Sequence, residues 1–184
     1  ELIGGTTIAR DITLRALENK KHVVTANKAL LAEHGNEIFN TALTNEVDLG
    51  YEGSVGGGIP IIKTIREALV GNVVFRIMGI LNGTSNFILT KMTREGLDFD
   101  SALQIAQDLG FAEADPTFDI EGIDTAHKLA ILTAISYGME INFNDIYVEG
   151  ISKITPLDIT FAKEFGYIIK LLAISKNKGD FIEA

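Results

Sequence analysis

The sequence predicts an α+β fold, a mixed sheet faced by helices and preceded by the last βαβ remnant of a parallel sheet. Three observations predict it. Over the first fifty residues short apolar runs alternate with helix-length amphipathic runs, the pattern of βαβ units. From Gly53 onward that alternation gives way to glycine-rich turns, helices and longer strands. At 184 residues and 46% hydrophobic content the chain is long and apolar enough to bury a core.

Each element has its own warrant. After Gly5, "TTIARDITLRALENK" places Ile8, Ile12, Leu14 and Leu17 at helical spacing with charges between them. "HVVTANK" reads as a short buried strand, "ALLAEHGNEIFNTALTNE" as a helix interrupted at Gly35, and "VDLGYEGSV" as the next strand. Pro60 suits the first position of a helix running to about Val70, with Gly71 ending it. "NVVFRIMGI" follows as a strand. Asn82, Thr84 or Ser85 caps the next helix, which stops at Gly96; Asp98 or Asp100 caps another that ends at Gly110. Asp124 to Tyr137 forms a helix stopped by Gly138, and Thr155-Pro156 opens one that ends near Gly166. "YIIKLLAIS" then turns through "KNKGD" into "FIEA", a hairpin. The chain opens inside "ELIGG" and closes inside "DFIEA", both apolar, which reads as a segment of a longer chain.

Composition removes several function classes. A net charge of −9 opposes phosphate neutralisation, so nucleic acid is not the expected partner. No apolar run is long enough for a membrane span and no signal peptide is visible, so the expected location is cytoplasmic. Without cysteine there is no disulfide, thiolate nucleophile or cysteine zinc site, and three scattered histidines offer little to a transition metal. Oxygen-ligated hard cations remain open.

Four stretches carry candidate chemistry. "EGSVGGGIP" departs from the phosphate-loop spacing, because Ile59 follows Gly58 where a lysine is needed, and it departs from G-x-G-x-x-G as well. It reads either as a tight strand-to-helix turn or as a site where Glu52 and freed carbonyls hold a hard cation. "NGTSNF" is either an anion-binding helix start or a set of ordinary caps. "TANK" puts Lys28 at the end of a parallel strand, where open α/β sheets bind ligands, although a surface lysine fits equally. "GFAEADPTFDIEGIDTAHK" sets Glu113, Asp115, Asp119, Glu121 and Asp124 ahead of Lys128. Asp124 and Lys128 are four apart and share a helix face with Ile131 and Ile135, so the lysine projects from an apolar stripe. Burial lowers a lysine's pKa while a carboxylate raises it, a tension suited to proton transfer; snorkelling of the stem is the competing reading. His127 points elsewhere and reads as structural.

Taken together, "HVVTANK", "YEGSVGGGIPII", "ILNGTSNFIL" and "GFAEADPTFDIEGIDTAHKL", in this order and across essentially the whole chain, resemble the catalytic region of the homoserine dehydrogenase family. The resemblance implies NAD- or NADP-linked interconversion of homoserine and aspartate 4-semialdehyde, in the branch leading to threonine, isoleucine and methionine. It implies that residues 1–50 are the C-terminal remnant of a Rossmann-like nucleotide-binding domain. Residues 51–184 would then be a substrate-binding, catalytic and dimerisation domain truncated at its C-terminus. By the same resemblance Lys128 exchanges the proton with the substrate oxygen and Lys28 assists. Glu113, Asp124, Gly83 and Thr84 contact the substrate, and Gly4, Lys28 and Gly110 face the cofactor. A sodium-like monovalent cation would be held by Glu52 and the carbonyls of Val55, Gly57 and Ile59, and the protein would be a homodimer. The strand and G-x-G-x-x-G turn that bind the pyrophosphate are absent, so the segment alone is expected to fold without dehydrogenase activity. A non-catalytic oligomerisation module or a metal-binding α+β domain is the alternative.

Overall fold

The computed structural model describes residues 1–184. Its elements begin with helix α1 (Ile8–Glu18), strand β1 (Val23–Val24), helix α2 (Lys28–Thr44) and strand β2 (Leu49–Gly50). A 3₁₀ turn at Glu52–Ser54 precedes the short helix α3 (Ile61–Lys63), which widens into a π turn at Thr64–Ala68. Strand β3 (Arg76–Gly79) leads into helices α4 (Gly83–Glu95), α5 (Phe99–Asp108), α6 (Thr117–Ile120) and α7 (Ile123–Tyr137). Helix α8 (Pro156–Glu164) and strands β4 (Ala173–Asn177) and β5 (Ile182–Glu183) follow. Strands β1 and β2 pair in parallel, Val23 opposite Leu49. A second sheet has the order β3-β4-β5, with β4 and β5 antiparallel. The architecture is thus mixed, helices with small sheets, and both the parallel pair and the terminal hairpin stand where the sequence predicts them.

The chain forms two compact units. One gathers Glu1–Ile77, His127–Ile146 and Ser175–Ala184; the other gathers Met78–Ala126 and Tyr147–Ile174.

In the first unit α1 packs on α2, by a face that only partly coincides with the predicted one. Ala9, Thr13 and Leu17 are buried, whereas Ile8 and Ile12 stay 66% and 44% exposed. Close approach of two helices favours small residues at the contact, and the larger isoleucines are left outside. Helix α2 is not interrupted at Gly35 either. A Cβ there would stand 2.7 Å from Ile141 Cδ1, so this glycine serves close packing within a continuous helix. The contact is fixed next door: Asn36 donates to the Ile141 carbonyl at 2.9 Å and accepts from its amide at 2.8 Å. Pro60 is the N-cap of α3 rather than its first residue, and the helix closes at Ala68 through wider turns.

The second unit is built on Ile88, Leu89 and Met92 of α4, packed against Ala102 and Ala106 of α5 and against Ile151 and Ile159. Its helices begin on the predicted signals. Asn82 caps α4 and Asp98 caps α5, and Thr155 with Asp158 forms a capping box on α8. Gly96 closes α4 in the left-handed conformation, φ 69°.

Candidate active site

In the first unit, the start of α2 is tied to the N-terminal glycine turn. Asn27 accepts from the Leu30 amide as N-cap and donates to the Gly5 carbonyl at 2.7 Å, which sets half-buried Lys28 at the head of the helix. Gly4 and Gly5 both take left-handed backbone, φ 79° and 70°. No atom lies within 4 Å of a Cβ at either, while the Gly4 amide donates to the Glu1 carboxylate at 3.2 Å.

The Glu52 carboxylate spans the start of α3. One oxygen accepts from the Ile62 amide at 2.9 Å and the other from the Lys63 amide at 2.8 Å. Between them the chain loops through buried Val55, Gly56 and Gly58 at φ 61° and 85°, and exposed Gly57 and Ile59. Ile59 donates to the Gly56 carbonyl, and its own carbonyl accepts from Ile61. The two amides use about half of the lone-pair sites on a carboxylate, which leaves the others free to accept.

Lys128 lies on α7, half-buried, one turn beyond buried Asp124. Ile131 on the same face is fully buried and Ile135 half-buried, as the apolar stripe requires. His127 is buried with its ring edge-on to Phe143 at 4.5 Å, a packing role.

In the second unit the acidic stretch and the "NGTS" segment meet. Asn82 Nδ2 donates to Asp119 Oδ1 at 2.7 Å and to Asp124 Oδ2 at 2.9 Å, while its Oδ1 accepts from the Ser85 amide. Ser85 Oγ donates to the Asp119 carbonyl, and Thr84 Oγ1 to the Phe111 carbonyl, both at 2.8 Å. Gly83, next in the chain to Asn82, is exposed at the start of α4, and Thr84 is joined to the loop that follows Gly110. Gly110 is left-handed, φ 75°, with open space at its Cβ position. Glu113 stands exposed on that loop, its carbonyl held by Gln107 Nε2 at 3.1 Å.

The other acidic residues differ in role. Asp115 accepts from the hydroxyl and amide of Thr117, which holds its carboxyl below the usual range. It is a cap. Asp119 is a member of the Asn82 cluster, and sequence reasoning assigned neither residue to that role. No spacing rule could have joined them, since 37 and 42 residues separate Asn82 from its two carboxylate partners.

Comparison with known proteins gives a consistent result. The family profile described as homoserine dehydrogenase matches residues 60–184, and that described as its NAD binding domain matches residues 1–52. A homoserine dehydrogenase of Neisseria gonorrhoeae is 54% identical over 183 residues, all of this chain and 42% of that protein. One from Bacillus subtilis is 49% identical over 183 residues, again 42% of its length. The chain thus spans about two-fifths of these relatives. A crystal structure of a homoserine dehydrogenase from Thiobacillus denitrificans superposes with a TM-score of 0.96 at 54% identity, over 99% of this chain and 42% of that one. A hyperthermophilic archaeal homoserine dehydrogenase in complex with NADPH aligns with a TM-score of 0.78 at 33% identity, over 92% of this chain and 49% of that one.

Proposed function

The chain belongs to the homoserine dehydrogenase family, and on that premise we propose that the protein interconverts L-homoserine and L-aspartate 4-semialdehyde with NAD or NADP. The observation that carries the reading is half-buried Lys128 one turn beyond buried Asp124 on α7, the carboxylate itself held by Asn82, the residue before Gly83 and Thr84.

In the oxidative direction the substrate hydroxyl loses its proton to the neutral amine of Lys128, and the C–O bond becomes C=O as hydride leaves the carbon. The nicotinamide, when bound, supplies the acceptor for that hydride. In reverse, the ammonium of Lys128 returns the proton to the carbonyl oxygen. Lys28 assists beside the reacting groups. Asp124 and Glu113 bind homoserine, Glu113 at its ammonium, while Gly83 and Thr84 line the pocket. Gly4, Lys28 and Gly110 face the dinucleotide, a role supported by the open space at the Cβ position of both glycines. Residues 1–50 act as a Rossmann-like remnant and residues 51–184 as the substrate domain.

A sodium-like ion at Glu52, Val55, Gly57 and Ile59 fits the oxygen donors there. Val73, Phe75, Met78 and Ile80 are each more than half exposed along the β3 segment, which supports a homodimer formed there. No helix is long and apolar enough to cross a membrane, and a cytoplasmic location fits an enzyme of amino-acid biosynthesis. The non-catalytic alternative is not favoured, because identity of 54% to a dehydrogenase runs the whole length of the chain.

The test is homoserine-dependent reduction of NAD or NADP by the full-length protein, followed at the reduced-nicotinamide band. Turnover above a no-homoserine blank supports the reading; none with either dinucleotide overturns it.

A further inference from the structure

We propose that Asn82 is a positioning residue for homoserine, acting through Asp124; the inference rests on the homoserine reading above. The side chain is almost fully buried, 3% exposed, as is Asp124 at 5%. A primary amide has two N–H donors, and here each goes to a different carboxylate, Asp119 and Asp124. The two acidic oxygens are therefore no further apart than those two bonds together allow. Two like charges at that separation repel. The pair of hydrogen bonds from Asn82 offsets part of that repulsion, as does the positive end of α4, whose N-cap is Asn82 itself.

Asn82 is in turn fixed at two points, and one of its carboxylate partners at a third. Its Oδ1 takes the Ser85 amide at 2.8 Å, its carbonyl takes Asn86 Nδ2 at 3.0 Å, and Ser85 Oγ holds the Asp119 carbonyl. Asn86 is buried and is itself held by the amide and carbonyl of Leu171, both at 3.1 Å. Capping alone needs only an acceptor, and Ser or Asp supplies one as well as Asn does. Only the carboxamide adds two donors aimed at carboxylates. The cap role and the positioning role can therefore be separated by substitution.

Asn82→Ser keeps a cap acceptor but has one hydroxyl donor on a shorter side chain. In the full-length protein it should raise the KM for homoserine by about 10- to 100-fold, the loss expected of hydrogen bonds to a charged group. The KM for the dinucleotide should stay near the wild type, while the thermal midpoint falls because two carboxylates each lose a donor. Asn82→Asp also keeps the acceptor, but it replaces both donors with a third buried carboxylate, and its effect on the homoserine KM should be at least as large. A homoserine KM within about twofold of wild type in either folded variant would overturn the proposal. Loss of the folded state in both would overturn it too, because the carboxamide would then serve the fold rather than the substrate. The wild-type arm keeps the two claims apart. A wild type with no homoserine turnover removes the reading and the proposal together; an active wild type with unchanged variants removes the proposal alone.

Discussion

Gly150→Ala tests the packing that presents α6 and its Asp119. A Cβ on Gly150 would stand 2.5 Å from Ile120 O, 2.5 Å from Glu121 Cα and 2.8 Å from Glu121 Oε2. Carbon contacts settle at about 3.5–4.0 Å, so the segment must retreat by about 1 Å. Two of the three neighbours are backbone atoms, which cannot rotate aside as a side chain can. The retreat falls on the adjacent bond from Ile151 N to Ile120 O, 2.7 Å long, which would stretch beyond hydrogen-bonding range. Losing that bond costs about 0.5–1.5 kcal/mol and overpacking about 1–3 kcal/mol, while the alanine recovers about 0.4–1 kcal/mol by restricting the unfolded chain. The balance is a loss of about 0.5–4 kcal/mol, or a midpoint lowered by about 1–16 °C for a chain of this size. Thermal unfolding of wild type, Gly150→Ala and Gly71→Ala checks it. Gly71 has no atom within 4 Å of its Cβ position, so that variant should stay within about 0.5 kcal/mol of wild type. Equal midpoints for the two variants would refute the packing argument.

Two further outcomes are expected. Asp98, Asp115 and Asp158 are each held below the usual carboxylate range, Asp98 by the Ser101 amide, Asp115 by the Thr117 hydroxyl and Asp158 by the Thr155 hydroxyl. Their folded values lie below their unfolded ones, so the stability they contribute is present above about pH 4 and lost as pH falls through the folded values. Replacing all three with Asn should flatten the acid side of a plot of unfolding midpoint against pH, and an unchanged slope would contradict the assignment. Glu113→Ala should raise the homoserine KM with little change in the midpoint. Its carboxylate is exposed, and the Gln107 bond is to the backbone carbonyl, which alanine keeps.

What was legible in the sequence was local. Gly96 and Gly138 end helices because a left-handed residue closes them, and Asn82, Asp98 and Thr155 begin helices because their side chains take an orphan amide. Each signal sits within four residues of its effect. Gly35 misled because its partner, Ile141, is far along the chain; locally a glycine in a helix looks like a break. The buried face of α1 misled because hydrophobicity favours Ile8 and Ile12, whereas packing favours the small Ala9 and Thr13. At the site, the Asp124–Lys128 spacing could be read directly from helical geometry. The Asn82 bridge could not, because it joins two stretches that only folding brings together.

The central claim is that Lys128 carries the proton, and Lys128→Ala in the full-length protein tests it most directly. Loss of a general acid–base group predicts a kcat for homoserine oxidation lower by about 10²- to 10⁴-fold, with an unfolding midpoint close to wild type because the lysine is only half-buried. Turnover near that of the wild type would mean that the lysine serves packing or the Asp124 charge, and would contradict the account.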